Sequence, residues 1–241
     1  MGGIHVDVHQ RESDVDPGVM RAFRAFVRDE NRCVRNIAAR ALGRYSANYD
    51  LFLSLLRDAR PDLRETGALG LGEIEDSRAI GPLGNVVSGD DNERVRMMAA
   101  WALGEIEQTT GIEPLARALK DRSPDVRRTA AWAIGEIEDA RGVQPLSSVL
   151  GDPDLDVRIT AVWALGEIED ASAVSVLTTA TKDREPRVRQ AAAWALGEIE
   201  SSQGVPVLEP LVRDPVMEVR KTALWALGEF ESGGGVGPMA A

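Results

Sequence analysis

Five tryptophans each stand four residues before a glutamate: Trp101 and Glu105, Trp132 and Glu136, Trp163 and Glu167, Trp194 and Glu198, Trp225 and Glu229. An indole presents a negative π face to a cation, and a carboxylate presents a full charge. The pairing therefore suits recognition of ammonium or guanidinium groups, with cation–π contacts of about 0.5–2 kcal/mol each. On a helix the i, i+4 spacing puts both side chains on one side. A second carboxylate follows two residues later, as in Glu105 and Glu107. Such pairs resemble general acid and base groups, but their copying along the chain argues for a solvated helix end instead. No G-x-S-x-G, Walker or G-x-G-x-x-G string occurs. The only histidines are His5 and His9, in GIHVDVH; on a strand they share a face, yet no third ligand stands nearby. The single cysteine, Cys33, excludes an internal disulfide framework and a multi-cysteine zinc site. No catalytic residue, metal or cofactor is expected.

The elements that must position these pairs are repeated. The glycine of the L-G-E string falls at Gly72, Gly104, Gly135, Gly166, Gly197 and Gly228, at steps of 32, 31, 31, 31 and 31 residues. A degenerate copy, VRNIAARALGRY, carries Gly43. In phase with it, an Asp precedes an Arg by six residues at Asp29/Arg35, Asp58/Arg64, Asp90/Arg96, Asp121/Arg127, Asp152/Arg158, Asp183/Arg189 and Asp214/Arg220. Each unit reads as two helices. In residues 139–169, DARGVQPLSSVLGD has apolar residues at helical spacing, with Pro145 in the first turn, where a missing N–H costs little. D-P-D-L-D then breaks the chain and offers capping carboxylates to a second helix. There Val157, Ala161, Ala164, Leu165 and Ile168 make one apolar stripe. One hairpin cannot bury that stripe alone; stacked neighbours can.

In the helix at 126–138, an advance of about 100° per residue gathers Val126, Ala130, Ala133, Ile134 and Ile137 on one stripe. Trp132 and Glu136 fall well away from it, with Arg128 beside them, and Gly135 is expected to leave room beside the ring.

The string V-R-x-x-A-A-W-A-L-G-E-I, the trailing E-D-x-x-A-V-x-P-L and the 31-residue period resemble HEAT-like repeats over about 17–231, nearest to the short subtype of phycobilin lyase subunits and many bacterial scaffold proteins. The resemblance implies an all-α, right-handed α-solenoid (an α–α superhelix) of about seven hairpins, its second helices lining a concave surface. It also implies that the Asp and Arg of the D-x5-R pairs form a hydrogen-bonded ladder between repeats. The five Trp and five Glu would then make two parallel ladders on the concave face. Positions one turn before each Trp differ between copies (Met97, Arg128, Ile159, Gln190 and Lys221), as do their neighbours Met98, Thr129, Thr160, Ala191 and Thr222. Met97, Arg128, Ile159, Gln190 and Lys221, with the two ladders, are the predicted partner-binding residues. Arg40 and Leu69 stand in the Trp position of the first two copies, and Arg44 in that of the first Glu, which predicts a basic N-terminal end. Deoxyhypusine hydroxylase resembles this chain in repeat pattern, but its His-Glu iron ligands have no counterpart: those places hold Asn36-Ile37, Glu65-Thr66, Met97-Met98, Arg128-Thr129, Ile159-Thr160, Gln190-Ala191 and Lys221-Thr222.

Charge narrows the partner. The net charge is -11. Residues 21–64 hold ten Arg and five acids, whereas residues 65–241 hold 17 Lys and Arg against 30 acids. An acidic majority repels phosphate backbones, so no nucleic acid is expected, and HEAT-like DNA glycosylases would need a basic concave face. No apolar run reaches the roughly 18 residues of a membrane span, so no membrane partner is expected either. The chain divides into a strand-like or flexible segment at 1–15, a repeat array at 16–231 and a flexible tail at 232–241. The expected function is a non-catalytic interaction scaffold, monomeric and cytoplasmic, binding a cationic or amphipathic protein or peptide. The alternatives are a phycobilin lyase-like, chromophore-handling subunit and a regulatory arm of a larger multidomain protein.

Overall fold

The computed structural model describes residues 16–232; the strand-like segment with His5 and His9, and residues 233–241 of the tail, lie outside the described residues. Among the described residues there are fourteen α-helices and no strand. They alternate as first and second helices of seven hairpins, in two compact units, Met1–Ile106 and Glu107–Ala241. The N-terminal unit holds α1 (Pro17–Phe26) with α2 (Arg32–Gly43), α3 (Tyr49–Leu55) with α4 (Pro61–Ile74), and α5 (Ile80–Gly89) with α6 (Glu93–Glu105). The C-terminal unit holds α7 (Ile112–Ala118) with α8 (Pro124–Glu136), α9 (Val143–Ser147) with α10 (Leu155–Glu167), α11 (Ala173–Ala180) with α12 (Pro186–Glu198), and α13 (Val205–Leu208) with α14 (Met217–Ser232).

The hairpin at 139–169 shows why the sequence folds this way. The Asp139 carboxylate accepts the Arg141 N–H and opens a 3-10 turn at Ala140–Gly142, which leads into α9. This first helix is shorter than its apolar spacing predicts. Its serines bond backward, Ser147 Oγ donating to Gln144 O and Ser148 Oγ to Pro145 O, an alternative to continued helix. The second helix starts as predicted: Asp154 accepts the N–H groups of Asp156 at 3.0 Å and Val157 at 3.1 Å. The predicted stripe is the core, with Val157, Ala161, Ala164 and Leu165 fully buried and Ile168 nearly so.

Hairpins are tied by the Asp and Arg pairs in a two-way bond. Within a repeat, Arg Nη1 donates to the backbone carbonyl of its own Asp, as in Arg127 to Asp121 at 2.9 Å, Arg158 to Asp152 at 2.8 Å and Arg189 to Asp183 at 2.8 Å. Between repeats, Nε and Nη2 fork onto the carboxylate of the next Asp: Arg64 on Asp90, Arg127 on Asp152, Arg158 on Asp183 and Arg189 on Asp214. The same carboxylates accept a backbone N–H two residues on, at Asn92, Asp154, Glu185 and Val216. Planar guanidinium matches planar carboxylate, which is why Arg and not Lys holds this place. The ladder implied by the family resemblance is thus present inside each unit.

Five of the second helices, α4, α6, α8, α10 and α12, end on a left-handed residue that is not glycine. Glu75, Glu107, Glu138, Glu169 and Glu200 have φ between 46 and 56°, and Glu138 N–H donates back to Gly135 O at 2.9 Å. A side chain there carries a steric penalty that glycine lacks. Glu138→Gly is therefore expected to stabilise the chain by about 0.5–1 kcal/mol, read as a higher urea midpoint; an unchanged or lower midpoint would show that the carboxylate compensates.

Candidate ligand-binding face of the second helices

All five tryptophans are half-buried. What holds four of the rings, Trp101, Trp163, Trp194 and Trp225, is the glycine of the preceding hairpin. A methyl group added at Gly166 would come within 2.9 Å of Trp194 Cζ3 and 3.0 Å of Ala195 Cα. Equivalent slots pair Gly72 with Trp101, Gly135 with Trp163 and Gly197 with Trp225. The sequence reading put this glycine beside the ring of its own helix; the structure puts it under the ring of the next one. Backbone approach of α8 to α10, α10 to α12 and α12 to α14 needs the missing Cβ, and the half-buried ring lies along the seam.

In two of the pairs the carboxylate four residues on is tied to the ring. Indole hydrogen bonds from Trp132 and Trp194 act on Glu136 and Glu198 and favour their charged forms. They do not prevail. Burial, and then neighbouring carboxylates, hold Glu136, Glu167 and Glu198 above the ordinary glutamate range; for Glu167 those neighbours are led by Glu136 and Glu198. These residues form a row of like charges, half-buried rather than the solvated helix end expected from sequence. The second glutamates of the strings, Glu138, Glu169 and Glu200, are the exposed ones. Trp225 differs: its Nε1 is buried and has no partner among the described residues.

The row sets a pH dependence. A carboxyl whose pKa is raised on folding stabilises the fold when protonated, and that contribution is lost as pH rises through its folded value. The ladder aspartates act oppositely. Asp214 is lowered by the Arg189 fork, and Asp152 is lowered by Arg127 and the Asp154 N–H against the effect of burial. Asp139 is held down to about 2 by Arg141. Their contributions are lost as pH falls through those lower values. Melting temperature is therefore expected to rise on acidification from neutrality to just above the ordinary glutamate pKa, then fall. Glu136→Gln, Glu167→Gln and Glu198→Gln together should shrink the rise to the share of Glu73, whose carboxyl burial also pushes up, and leave the acid fall; a rise that survives in full would locate its source elsewhere.

In the C-terminal unit, α10, α12 and α14 enclose a recess of about 190 Å³, lined by Ile159, Trp163, Arg187, Gln190, Ala191, Trp194 and Thr222. Six of these seven are predicted ladder or variable positions. Arg187 was missed. Its place, just before the V-R dipeptide, is acidic in the other hairpins of this unit (Asp125, Asp156 and Glu218), and that sign change was the available signal. The remaining predicted residues lie elsewhere. Met97, Trp101 and Glu105 are on α6 of the N-terminal unit, Arg128 pairs with Asp125 at 2.8 Å, and Lys221 is exposed on α14. In the first two copies, exposed Arg40 sits 3.5 Å from Glu73, whereas Leu69 is only 2% exposed and contributes no surface.

Repeated two-helix hairpins, a shared seam and a side-chain row on the second helices define a protein of the α-solenoid repeat class. Residues 49–121, 112–185 and 174–236 match the family of HEAT repeats, and the chain belongs to that family. No curated protein matches it in sequence. Among solved structures it is similar to YibA of E. coli, at 20% identity and TM-score 0.61, over 91% of this chain and 93% of that one. It is also similar to a designed armadillo repeat protein in complex with the peptide (KR)4, at 24% identity and TM-score 0.53, over 75% and 98%. The CpcE–CpcF complex of phycocyanin lyase from Nostoc is similar at 18% identity and TM-score 0.53, over 88% and 94%. Among the described residues no helix is long and apolar enough to cross a membrane.

Proposed function

We propose that the chain is a non-catalytic scaffold whose second-helix face in the C-terminal unit binds a cationic peptide or a basic segment of a partner protein. The observation that carries this reading is the row of Glu136, Glu167 and Glu198, pushed up in pKa by burial and by neighbouring carboxylates, beside half-buried indoles of which Trp163 and Trp194 line a recess. A bound ammonium or guanidinium relieves that repulsion and meets a π face at once. The designed armadillo relative, of the same class of fold, was solved with a peptide of alternating Lys and Arg, which supports the choice of ligand. The recess between Trp163 and Trp194 would take an apolar side chain next to the cations, and the variable Ile159 and Gln190 would select it.

The test is calorimetric titration of the full chain with (KR)4 and with its glutamate counterpart. Binding of the first alone, weakening as salt rises, is expected; equal binding of both, or of neither, would sink the proposal. The tetrapyrrole reading rests on the flat apolar recess. The glutamate row opposes it, since it repels propionates, and an unchanged absorbance spectrum on mixing with a bilin would dispose of it.

A further inference from the structure

We infer that the chain associates head to tail with a second copy of itself, the outer face of the α13–α14 hairpin stacking on the outer face of the α1–α2 hairpin of the next copy. Each face carries one half of the bonds that join hairpins inside the units.

On α14, Leu224 occupies the place of Ala131, Val162 and Ala193, which are all fully buried, yet it is 60% exposed. Gly228 occupies the place of the buried Gly135, Gly166 and Gly197 and is exposed. Arg220 makes the inner half of the ladder bond, its Nη1 donating to Asp214 O at 2.7 Å and Pro215 O at 3.0 Å. The Nε and Nη2 fork, which grips the next aspartate in Arg127, Arg158 and Arg189, meets no carboxylate among the described residues.

The face of the first hairpin supplies what is missing. Asp29 accepts the Asn31 N–H at 2.8 Å, like every ladder aspartate, but takes no arginine among the described residues. Ala41 is half-exposed, whereas its equivalents Ala102, Ala133, Ala164, Ala195 and Ala226 are fully buried. Phe26, three residues before the ladder aspartate, is 48% exposed; its equivalents Leu55, Val87, Ala118, Val149, Ala180 and Leu211 are at most 5% exposed. In the stacked pair Ala41 sits on Gly228, Phe26 and Leu224 are covered, and Arg220 forks onto Asp29. Charge favours the same pairing: residues 21–64 are net basic and residues 65–241 net acidic. Such a contact is heterologous, so one interface leaves a free face of each kind and growth continues unless a ring closes.

The test is analytical ultracentrifugation of the full chain from about 1 μM to about 1 mM, the range of weak protein contacts. The weight-average mass should rise past that of a dimer and fall again with added salt. Leu224→Arg blocks one face and Phe26→Asp the other. Each variant alone should stay monomeric, and an equimolar mixture should form a dimer and nothing larger. Circular dichroism checks that both fold; Asp29→Asn, a milder change, should weaken association in the native background. A native chain that is monomeric throughout overturns the proposal. So does a single blocked variant that still dimerises, or a mixture that does not pair. A chain ending at Ser232 that associates when the full chain does not would assign the α14 face to residues 233–241, and overturns it too.

Discussion

Arg158→Ala should cost the fold about 3–5 kcal/mol, the range for removing one partner of a buried ion pair. The Arg158 side chain is 5% exposed and that of Asp183 is 12% exposed. Without the guanidinium, the Asp183 carboxylate keeps only the Glu185 N–H at 2.8 Å, and Asp152 O loses its donor. Arg158→Lys should recover little, because an ammonium cannot fork. Arg141→Ala is the control: its pair with Asp139 is just as close, 2.8 Å against 2.9 Å, but Arg141 is 66% exposed, and exposed pairs contribute little. Urea denaturation of the three variants separates the two situations. If Arg158→Ala and Arg141→Ala lose the same amount, the ladder is ornament, and the hairpins are held by apolar stacking alone.

The second large effect concerns binding. Trp163→Ala with Trp194→Ala should weaken (KR)4 binding by about fivefold to several hundredfold, from two cation–π contacts of about 0.5–2 kcal/mol each. Both rings line the recess and both lie over glycine slots, at Gly135 and Gly166, so some stability is lost as well. Being half-buried, they should not unfold the chain when removed. The measurement is titration calorimetry beside thermal melting. A folded double variant with native peptide affinity would remove the rings from the binding role and leave them as seam fillers.

Much of this was legible in the sequence because repetition makes local rules additive. The period fixed the seven hairpins, D-P-D-L-D announced the cap at Asp154, and the stripe from Val157 to Ile168 is the buried one. The Asp and Arg spacing picked out the residues and the family resemblance implied the ladder, although which oxygen of each Asp bonds within a repeat and which between repeats needed coordinates. Three features were not legible. A helical wheel records angles within one helix, so it could not show that Gly166 serves the ring of Trp194 on the next helix. The left-handed glutamates were hidden because that conformation normally announces itself by glycine. The raised glutamate pKa values depend on burial and on carboxylates in adjacent hairpins, distances a single-helix projection does not contain. Of the predicted positions, Ile159, Trp163, Gln190 and Trp194 line the recess, whereas Arg187, also in its lining, stands before the V-R dipeptide and was not among them.

The join of α8 to α10 is made from the same parts as the joins of α10 to α12 and of α12 to α14: a ring dropped into a gap, and a fork closed on an acid. A gene written in such interchangeable couplings can lose or gain whole blocks by unequal crossing-over without breaking any of them. Excising residues 139–169 would seat Trp194 on Gly135 and close Arg127 on Asp183. Length is thus free to change, whereas register is not: a slip of one residue would put a side chain where Trp163, Trp194 and Trp225 each need a glycine.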